Sequence, residues 1–137
     1  MADFKIAYKR TSLNEGGYTD NPDDNGNWTG AVKGKGILIG TNKGISASVL
    51  AKYLGHTPSA GEMKMLTTET AQDIYKKNYW DIMRGDEWDN QENVNNVYDM
   101  CVNAGCSSAI KMWQRSIGVE ATGKMDFLTI EKTNLVR

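Results

Sequence analysis

The stretch Glu15-Gly16-Gly17-Tyr18 joins a short amphipathic segment to a long polar segment that is rich in glycine. Residues 3–14 have apolar side chains at helical spacing, which predicts a helix with one buried face. Two successive glycines readily end a helix, because glycine adopts the left-handed conformation found at helix C-termini. The sequence therefore predicts a first helix that ends at the glycines, with Glu15 on its last turn.

Glu15 is an unusual residue for that position. The C-terminal end of a helix carries partial negative charge, so we expect the pKa of Glu15 to be raised. A carboxyl group with a raised pKa, close to an aromatic ring such as Tyr18, suits a general acid near neutral pH. A surface glutamate before a turn is the alternative that this stretch leaves open.

Length and charge limit the classes of function. The chain has 137 residues, which suits one domain, and its net charge of −1 gives no basic field for nucleic acid. No apolar run approaches the ~20 residues that span a bilayer, so we expect no membrane insertion. We also expect a monomer. The start Met1-Ala2-Asp3-Phe4-Lys5 lacks the features of a signal peptide, which predicts synthesis in the cytoplasm and action elsewhere only after release or non-classical export.

Cysteine and histidine usage restricts the chemistry further. Cys101 and Cys106 flank Gly105, and we expect two reduced, partly buried thiols rather than a disulfide. His56 is the only histidine and lies in a Gly-His-Thr-Pro turn, where a solvated side chain is the usual outcome. We therefore predict no metal site, no cofactor and no Ser-His or Cys-His catalytic pair.

The fold class follows from the positions of turn-forming residues and of helical patterns along the chain. Residues 18–44 are rich in Gly, Asn and Asp, which predicts a small antiparallel β-hairpin or sheet. From Ile45 onwards the pattern is helical, with its clearest apolar stripe over residues 91–104. We expect a mainly α, α+β fold, in which a helical bundle carries the hairpin. Further helix starts are predicted at four polar caps: Ser46, Ser59, Ser107 or Ser108, and Asp126.

Carboxylates in the predicted hairpin suggest a reaction. Glycoside hydrolysis needs one carboxyl group that protonates the leaving oxygen, and usually a second that supports the cation or activates water. Glu15 is the candidate acid, and Asp20, Asp23 and Asp24 follow within reach of a hairpin. Thr41 lies where the hairpin returns to the next helix.

Several motifs in order carry a resemblance to a family. Glu15-Gly16-Gly17-Tyr18, the segment 21–24 and Thr41-Asn42-Lys43-Gly44-Ile45-Ser46 resemble glycoside hydrolase family 108, the N-acetylmuramidases of phages, prophages and bacteria. The second half resembles the C-terminal part of that family, which is described as a predicted peptidoglycan-binding region. Its matching motifs are Tyr79-Trp80, Tyr98-Asp99, Val102-Asn103-Ala104-Gly105, Trp113-Gln114 and the loop 118–126.

The resemblance implies a lysozyme-like peptidoglycan hydrolase, with residues 1–66 as the catalytic part and residues 67–137 as a glycan-binding part in one compact domain. It implies cleavage of the β-1,4 bond between N-acetylmuramic acid and N-acetylglucosamine, with glycan strands of peptidoglycan as the partner. It gives the role of general acid to Glu15. Related phage lysozymes place an aspartate nine residues later, which here is Asp24, while Asp20 and Asp23 remain alternatives.

The remaining site residues each have a structural alternative. Thr41 is predicted to hold a water or the substrate, or else to be a buried turn hydroxyl. Tyr18 and Asn42 are predicted to line the cleft, although Tyr18 can also pack under the hairpin. Asn103 either binds a substrate N-acetyl or hydroxyl group or caps its helix.

Two rival functions follow from the same residues. A lytic transglycosylase would need the glutamate but no productive aspartate, because the 6-hydroxyl of the sugar closes on the anomeric carbon. A non-catalytic peptidoglycan-binding module would bind glycan without cutting it.

Overall fold

A computed structural model describes residues 1–12 and 16–136 of the chain. The described part is mainly helical, as predicted. It divides into two compact units, one of Met1–Leu13 with Tyr75–Arg137 and the other of Asn14–Ile74. The α-helices are α1 (Phe4–Thr11), α2 (Ala47–Leu54), α3 (Ala60–Lys64), α4 (Thr68–Tyr75), α5 (Gln91–Ala104), α6 (Cys106–Ile117) and α7 (Phe127–Thr133).

Helix α5 is the centre of the first unit, where α1 and α6 pack against it. The predicted stripe is confirmed at Val94, Val97, Tyr98 and Cys101, which are all buried. A helix buries such a stripe because residues three and four apart lie on one face. Helix α5 also begins and ends where the sequence predicts, between the side-chain cap of Asn90 and Gly105.

Aromatic rings fill the space between α1 and α5. Phe4 lies 5.6 Å from the ring of Trp80 and 5.9 Å from that of Tyr98, measured between ring centroids, and both pairs meet edge to face. This arrangement is the favourable one for aromatic quadrupoles. The hydroxyl of Tyr98 is buried there without a hydrogen-bond partner among the described residues.

A short turn at Gly85–Glu87 brings its own backbone against the cluster of aromatic rings that contains Trp80. A β-carbon on Gly85 would lie 2.2 Å from the indole ring of Trp80. Only glycine fits at this position, because a side chain would overlap the ring of a fully buried tryptophan.

Helix starts agree with the predicted caps, with one correction. Ser59 forms a complete capping box with Glu62, and Asp126 accepts a hydrogen bond from the backbone of Thr129. Helix α6, however, begins at Cys106 rather than after Ser107 or Ser108. Gly105 ends α5 and starts α6 at once, because its φ of 92° turns the chain without intervening residues.

The predicted β-hairpin over residues 18–44 is wrong for the described residues, which contain no strand in that range. Only single antiparallel bridges form there, at Thr19 with Thr41 and at Trp28 with Leu38. A ladder needs consecutive extended residues, and here a 3₁₀ turn at Asn25–Asn27 and a positive φ at Ala31 interrupt it.

The first helix also ends earlier than predicted. Helix α1 ends at Thr11, with Ser12 as its C-cap. Glu15 itself lies outside the described residues. The division of function at residue 66 likewise stays a prediction. No helix in residues 1–12 and 16–136 is long and apolar enough to cross a membrane.

Candidate functional site

Polar side chains of the second unit surround the α-carbon of Gly26. A β-carbon on Gly26 would lie 3.5 Å from Asp24 Oδ1, 3.8 Å from Thr41 Oγ1 and 3.8 Å from the β-carbon of Ser46. Glycine leaves this position empty. We call it the Gly26 space, bounded by Asp24, Thr41 and Ser46. Two of the sequence-predicted residues, Asp24 and Thr41, thus both lie within 3.8 Å of this position although 17 positions separate them.

Asp24 is held at this space by the turn that follows it. It is the N-cap of the 3₁₀ turn Asn25–Asn27, and its Oδ1 accepts a hydrogen bond of 3.0 Å from the backbone N–H of Gly26. Aspartate favours this position because its short carboxylate reaches the amide two residues ahead. One carboxylate oxygen is therefore fixed by the backbone, while the residue as a whole remains exposed.

Thr41 is held by a buried amide. Its Oγ1 donates a hydrogen bond of 2.6 Å to Asn27 Oδ1, and it also lies 3.3 Å from the carbonyl oxygen of Gly26. Asn27 is fully buried, and its Nδ2 donates to the carbonyl of Asn21 at 2.9 Å. This second bond sets the orientation of the amide, so that its oxygen faces Thr41. A hydroxyl has a single proton, so the lone pairs of Thr41 remain available to accept a hydrogen bond.

Ser46 completes the boundary of the space. It is the N-cap residue of α2, yet its side chain makes no capping hydrogen bond. The sequence predicted Ser46 as a cap, and it does occupy that position. Its place beside Asp24 and Thr41 was not foreseen.

Gly26 and Asn27 were not among the residues predicted from the sequence. Both lie in a polar, glycine-rich stretch where many residues look alike, and only the path of the loop distinguishes them. The cap signature of Asp24 two residues before Gly26 is the one local signal that could have marked the turn.

Tyr18 is half-buried and firmly held. Its hydroxyl donates a hydrogen bond of 2.9 Å to the carbonyl of Ile39. Burial, followed by the charge of Asp20, raises the pKa of Tyr18, so the phenol stays neutral. The ammonium of Lys64 lies 5.3 Å from its ring centroid, and a β-carbon on Gly40 would lie 2.6 Å from the ring. These contacts give Tyr18 a packing role, and a sugar contact stays a prediction.

Asp20 and Asp23, the other two candidate aspartates, make their contacts elsewhere. Asp23 pairs with Lys33 Nζ at 2.6 Å, with the side chains 75% and 61% exposed respectively. An ion pair this exposed contributes little to stability. Asp20 is exposed, and its charge acts on Tyr18. Their roles as alternatives to Asp24 stay predictions.

The two predicted asparagines make structural contacts. Asn42 is buried, and its Nδ2 donates to the carbonyls of Met63 at 2.9 Å and Lys64 at 3.3 Å, at the end of α3. Asn103 is exposed on α5 in the first unit, where its Nδ2 donates to the carbonyl of Asp99 at 2.9 Å. Substrate binding by either residue stays a prediction.

The Asp24 carboxylate and the Thr41 hydroxyl place hydrogen-bonding oxygens near Gly26. A carboxylate oxygen can accept a proton there, and the threonine hydroxyl can accept a hydrogen bond. Within the described ranges, no three His, Cys, Asp or Glu side chains come together as metal ligands.

Comparisons with known proteins agree with the resemblance in the sequence. The Glycosyl hydrolase 108 family matches residues 8–105, a span that includes Glu15, Asp24 and Thr41. Residues 106–137 lie beyond that match, so the glycan-binding role of the second half stays a prediction.

Among solved structures, Brucella abortus SagA is similar to this chain, with a TM-score of 0.74 and 30% sequence identity. The similarity covers 98% of this chain and 70% of SagA. None of the curated proteins compared matches this chain. The chain belongs to glycosyl hydrolase family 108, and it is a peptidoglycan hydrolase of the muramidase class.

Proposed function

We propose that this enzyme hydrolyses the β-1,4 bond between N-acetylmuramic acid and N-acetylglucosamine, with Glu15 as the general acid and Asp24 as the second carboxylate. The observation that carries the proposal is that Asp24 and Thr41 both border the Gly26 space. Glu15 takes its role from the family resemblance of Glu15-Gly16-Gly17-Tyr18.

Glu15 and Asp24 each transfer one proton in the proposed reaction. Glu15 donates its proton to the glycosidic oxygen as the bond to the anomeric carbon breaks. A water at the Gly26 space then attacks the anomeric carbon. Asp24 accepts one proton of that water, and the other remains on the new hydroxyl group of the sugar. Glu15 ends as a carboxylate and Asp24 as an acid, and exchange with solvent restores both.

Thr41 orients that water. Because its own proton is given to Asn27 at 2.6 Å, Thr41 Oγ1 accepts a hydrogen bond from the water rather than donating one. Asn27 acts through Thr41 and is a positioning residue. A water held in this way also favours hydrolysis over transglycosylation, in which the sugar supplies its own nucleophile.

The general acid is tested with Glu15→Gln. We expect this variant to keep its Tm and to lose the ability to clear suspensions of purified cell walls. Glu69→Gln, an exposed change in the first turn of α4, is the matched control and should clear walls at the wild-type rate. Clearing by Glu15→Gln at the wild-type rate would show that Glu15 is not the acid.

The second carboxylate is tested with Asp20→Asn, Asp23→Asn and Asp24→Asn in parallel. We expect Asp24→Asn to reduce the rate by about 100-fold or more, as removal of a general base does. The other two should stay within a few-fold of wild type. Loss of activity in one of those two alone would move the role to that aspartate.

The bond and the reaction type are read from the products. Digested walls are reduced with borohydride, and the sugar alcohol that forms identifies the reducing end. Muramitol supports the proposed bond, and glucosaminitol contradicts it. Anhydro-muramyl ends would show a lytic transglycosylase, and sacculi that are bound without new reducing ends would show a binding module.

We further propose a monomer that is made in the cytoplasm and reaches the wall after release or non-classical export, with residues 67–137 as the glycan-binding part. Sedimentation tests the monomer, and fractionation of producing cells tests the location. Cosedimentation of Glu15→Gln with sacculi, compared with Asn103→Ala in the same background, tests whether the second half binds glycan.

A further inference from the structure

The corner between α5 and α6 brings two cysteines together. The backbone N–H of Gly105 donates to the carbonyl of Cys101 at 3.0 Å, which closes the last turn of α5. Gly105 then turns the chain with a φ of 92° and a ψ of 144°, and Cys106 is the first residue of α6. Cys106 is therefore the first residue after the helical turn that runs from Cys101 to Gly105.

Both thiols face one short segment of the first unit. Cys101 Sγ lies 3.8 Å from Met83 Sδ, and Cys106 Sγ lies 3.8 Å from the carbonyl oxygen of Tyr79. That same carbonyl accepts the backbone N–H of Met83 at 3.3 Å, so these neighbours belong to a single turn. Both cysteines are free.

The two sulfurs differ in reactivity. Cys106 is partly exposed, and the hydrogen bond from Cys101 lowers the pKa of Cys106. The same hydrogen bond, followed by burial, raises the pKa of Cys101, which is fully buried. The thiolate is the nucleophile in disulfide exchange, so Cys106 is the sulfur that an oxidant meets first.

We propose that Cys101 and Cys106 form a redox modification site, at which the folded enzyme closes an intramolecular disulfide when it meets a small-molecule disulfide. The Cys106 thiolate attacks one sulfur of the oxidant and releases one thiolate. Cys101 then loses its proton and attacks Cys106 Sγ, which releases the second thiol. Two cysteine thiols are oxidised, one oxidant disulfide is reduced to two thiols, and two hydrogen atoms leave the protein.

The bond would join the end of α5 to the start of α6. It would cross-link the two helices at Gly105, the residue whose conformation is the most permissive at that corner. Peptidoglycan lies outside the reducing cytoplasm, so an enzyme that works on it meets conditions in which disulfides persist.

The test uses the wild-type protein with glutathione disulfide as the oxidant, followed by iodoacetamide and intact-mass spectrometry without reduction. We expect the monomer to lose the mass of two hydrogen atoms and to take up no alkyl group. The oxidised form should show a Tm higher by about 5 °C, and dithiothreitol should reverse the shift. One or two alkylated thiols, a stable glutathione adduct on the wild type, or disulfide-linked dimers would each overturn the proposal.

Two variants test the order of attack. In Cys101→Ser the resolving thiol is absent, so Cys106 should retain one glutathione as a stable mixed disulfide. In Cys106→Ser the remaining thiol is buried, so the folded protein should take up no glutathione. Near-ultraviolet circular dichroism checks that each variant is folded. A folded Cys101→Ser without adduct, or a folded Cys106→Ser with one, would contradict the assignment.

Discussion

The hydroxyl of Thr41 donates a hydrogen bond of 2.6 Å to the side-chain oxygen of Asn27, a residue with no exposed surface. This bond links Thr41, which borders the Gly26 space, to a buried residue of the second unit. It fixes the direction of the one proton of Thr41, and the proposed water site depends on that direction.

Replacing the threonine hydroxyl tests this relationship. Thr41→Val keeps the shape but leaves the buried oxygen of Asn27 without a donor, which should cost about 1–3 kcal/mol of unfolding free energy. The rate of wall hydrolysis should fall by about 100-fold, because the water loses its acceptor. Thr41→Ser retains the hydroxyl and should keep most of the stability and most of the rate. Rates and denaturant unfolding are measured together, and a Thr41→Val enzyme with the wild-type rate would contradict the water site.

Filling the Gly26 space is a second prediction. The new β-carbon of Gly26→Ala would be at ordinary contact distance, 3.5 Å or more from its neighbours, so we expect little change in Tm. The methyl group would narrow the region beside Asp24 and Thr41 that is proposed for the water, and the rate should fall by about 100-fold. Gly61→Ala, whose β-carbon would lie 3.6 Å from Ser59 Oγ, is the matched control and should keep full activity. Equal rates for the two variants would argue against a functional space at Gly26.

Gly85 should be intolerant of any side chain. In Gly85→Ala the new methyl group would overlap the ring of Trp80, at 2.2 Å. We expect a loss of about 3 kcal/mol or more in unfolding free energy, because the rigid indole is buried and has no room to move. Chemical denaturation measures the loss. A variant as stable as Gly61→Ala would show that the ring can shift.

The buried hydroxyl of Tyr98 offers a contrast with that of Tyr18. Tyr98→Phe removes a polar group that has no partner among the described residues, so stability should stay the same or rise by about 1 kcal/mol. Tyr18→Phe removes a donor that is bonded to Ile39 at 2.9 Å, and stability should fall by about 1 kcal/mol. Thermal unfolding of both variants measures these changes in stability. A clear loss of stability in Tyr98→Phe would reveal a partner for its hydroxyl.

Asp126 should make stability depend on acid pH. Hydrogen bonds from Thr129, first from its side chain and then from its backbone, lower the pKa of Asp126. A lowered pKa in the folded state means that this carboxylate contributes stability above its unfolded pKa and loses it as pH falls through the folded value. The Tm of wild type should therefore fall towards that of Asp126→Asn between about pH 6 and about pH 2. A difference in Tm that stays constant over this range would contradict the linkage.

Much of the helical structure was predictable because its causes are local. The stripe of α5, the capping box of Ser59 and the cap at Asp126 depend on residues three or four positions apart, which backbone hydrogen bonds bring together in any helix. The family was predictable as well, since its motifs are short and ordered.

The failed predictions share a different cause. The hairpin was inferred from glycines and turn residues, yet the same residues allow positive φ values such as that of Ala31, which break a ladder after single bridges. The end of the first helix was assigned to the glycines at 16 and 17, whereas α1 ends at Thr11. Residues that permit many conformations do not specify one of them by themselves.

The sequence by itself determined the helical class of this protein, the limits of α5, its family and the candidate residues Asp24 and Thr41. Only the tertiary structure decided that these two lie beside Gly26, that buried Asn27 orients Thr41, and that the ring of Trp80 leaves no room for a side chain at position 85. Helical periodicity repeats every few residues and can be read along the chain. Contacts between residues far apart in sequence depend on the path of loops, which the packing of the whole unit selects.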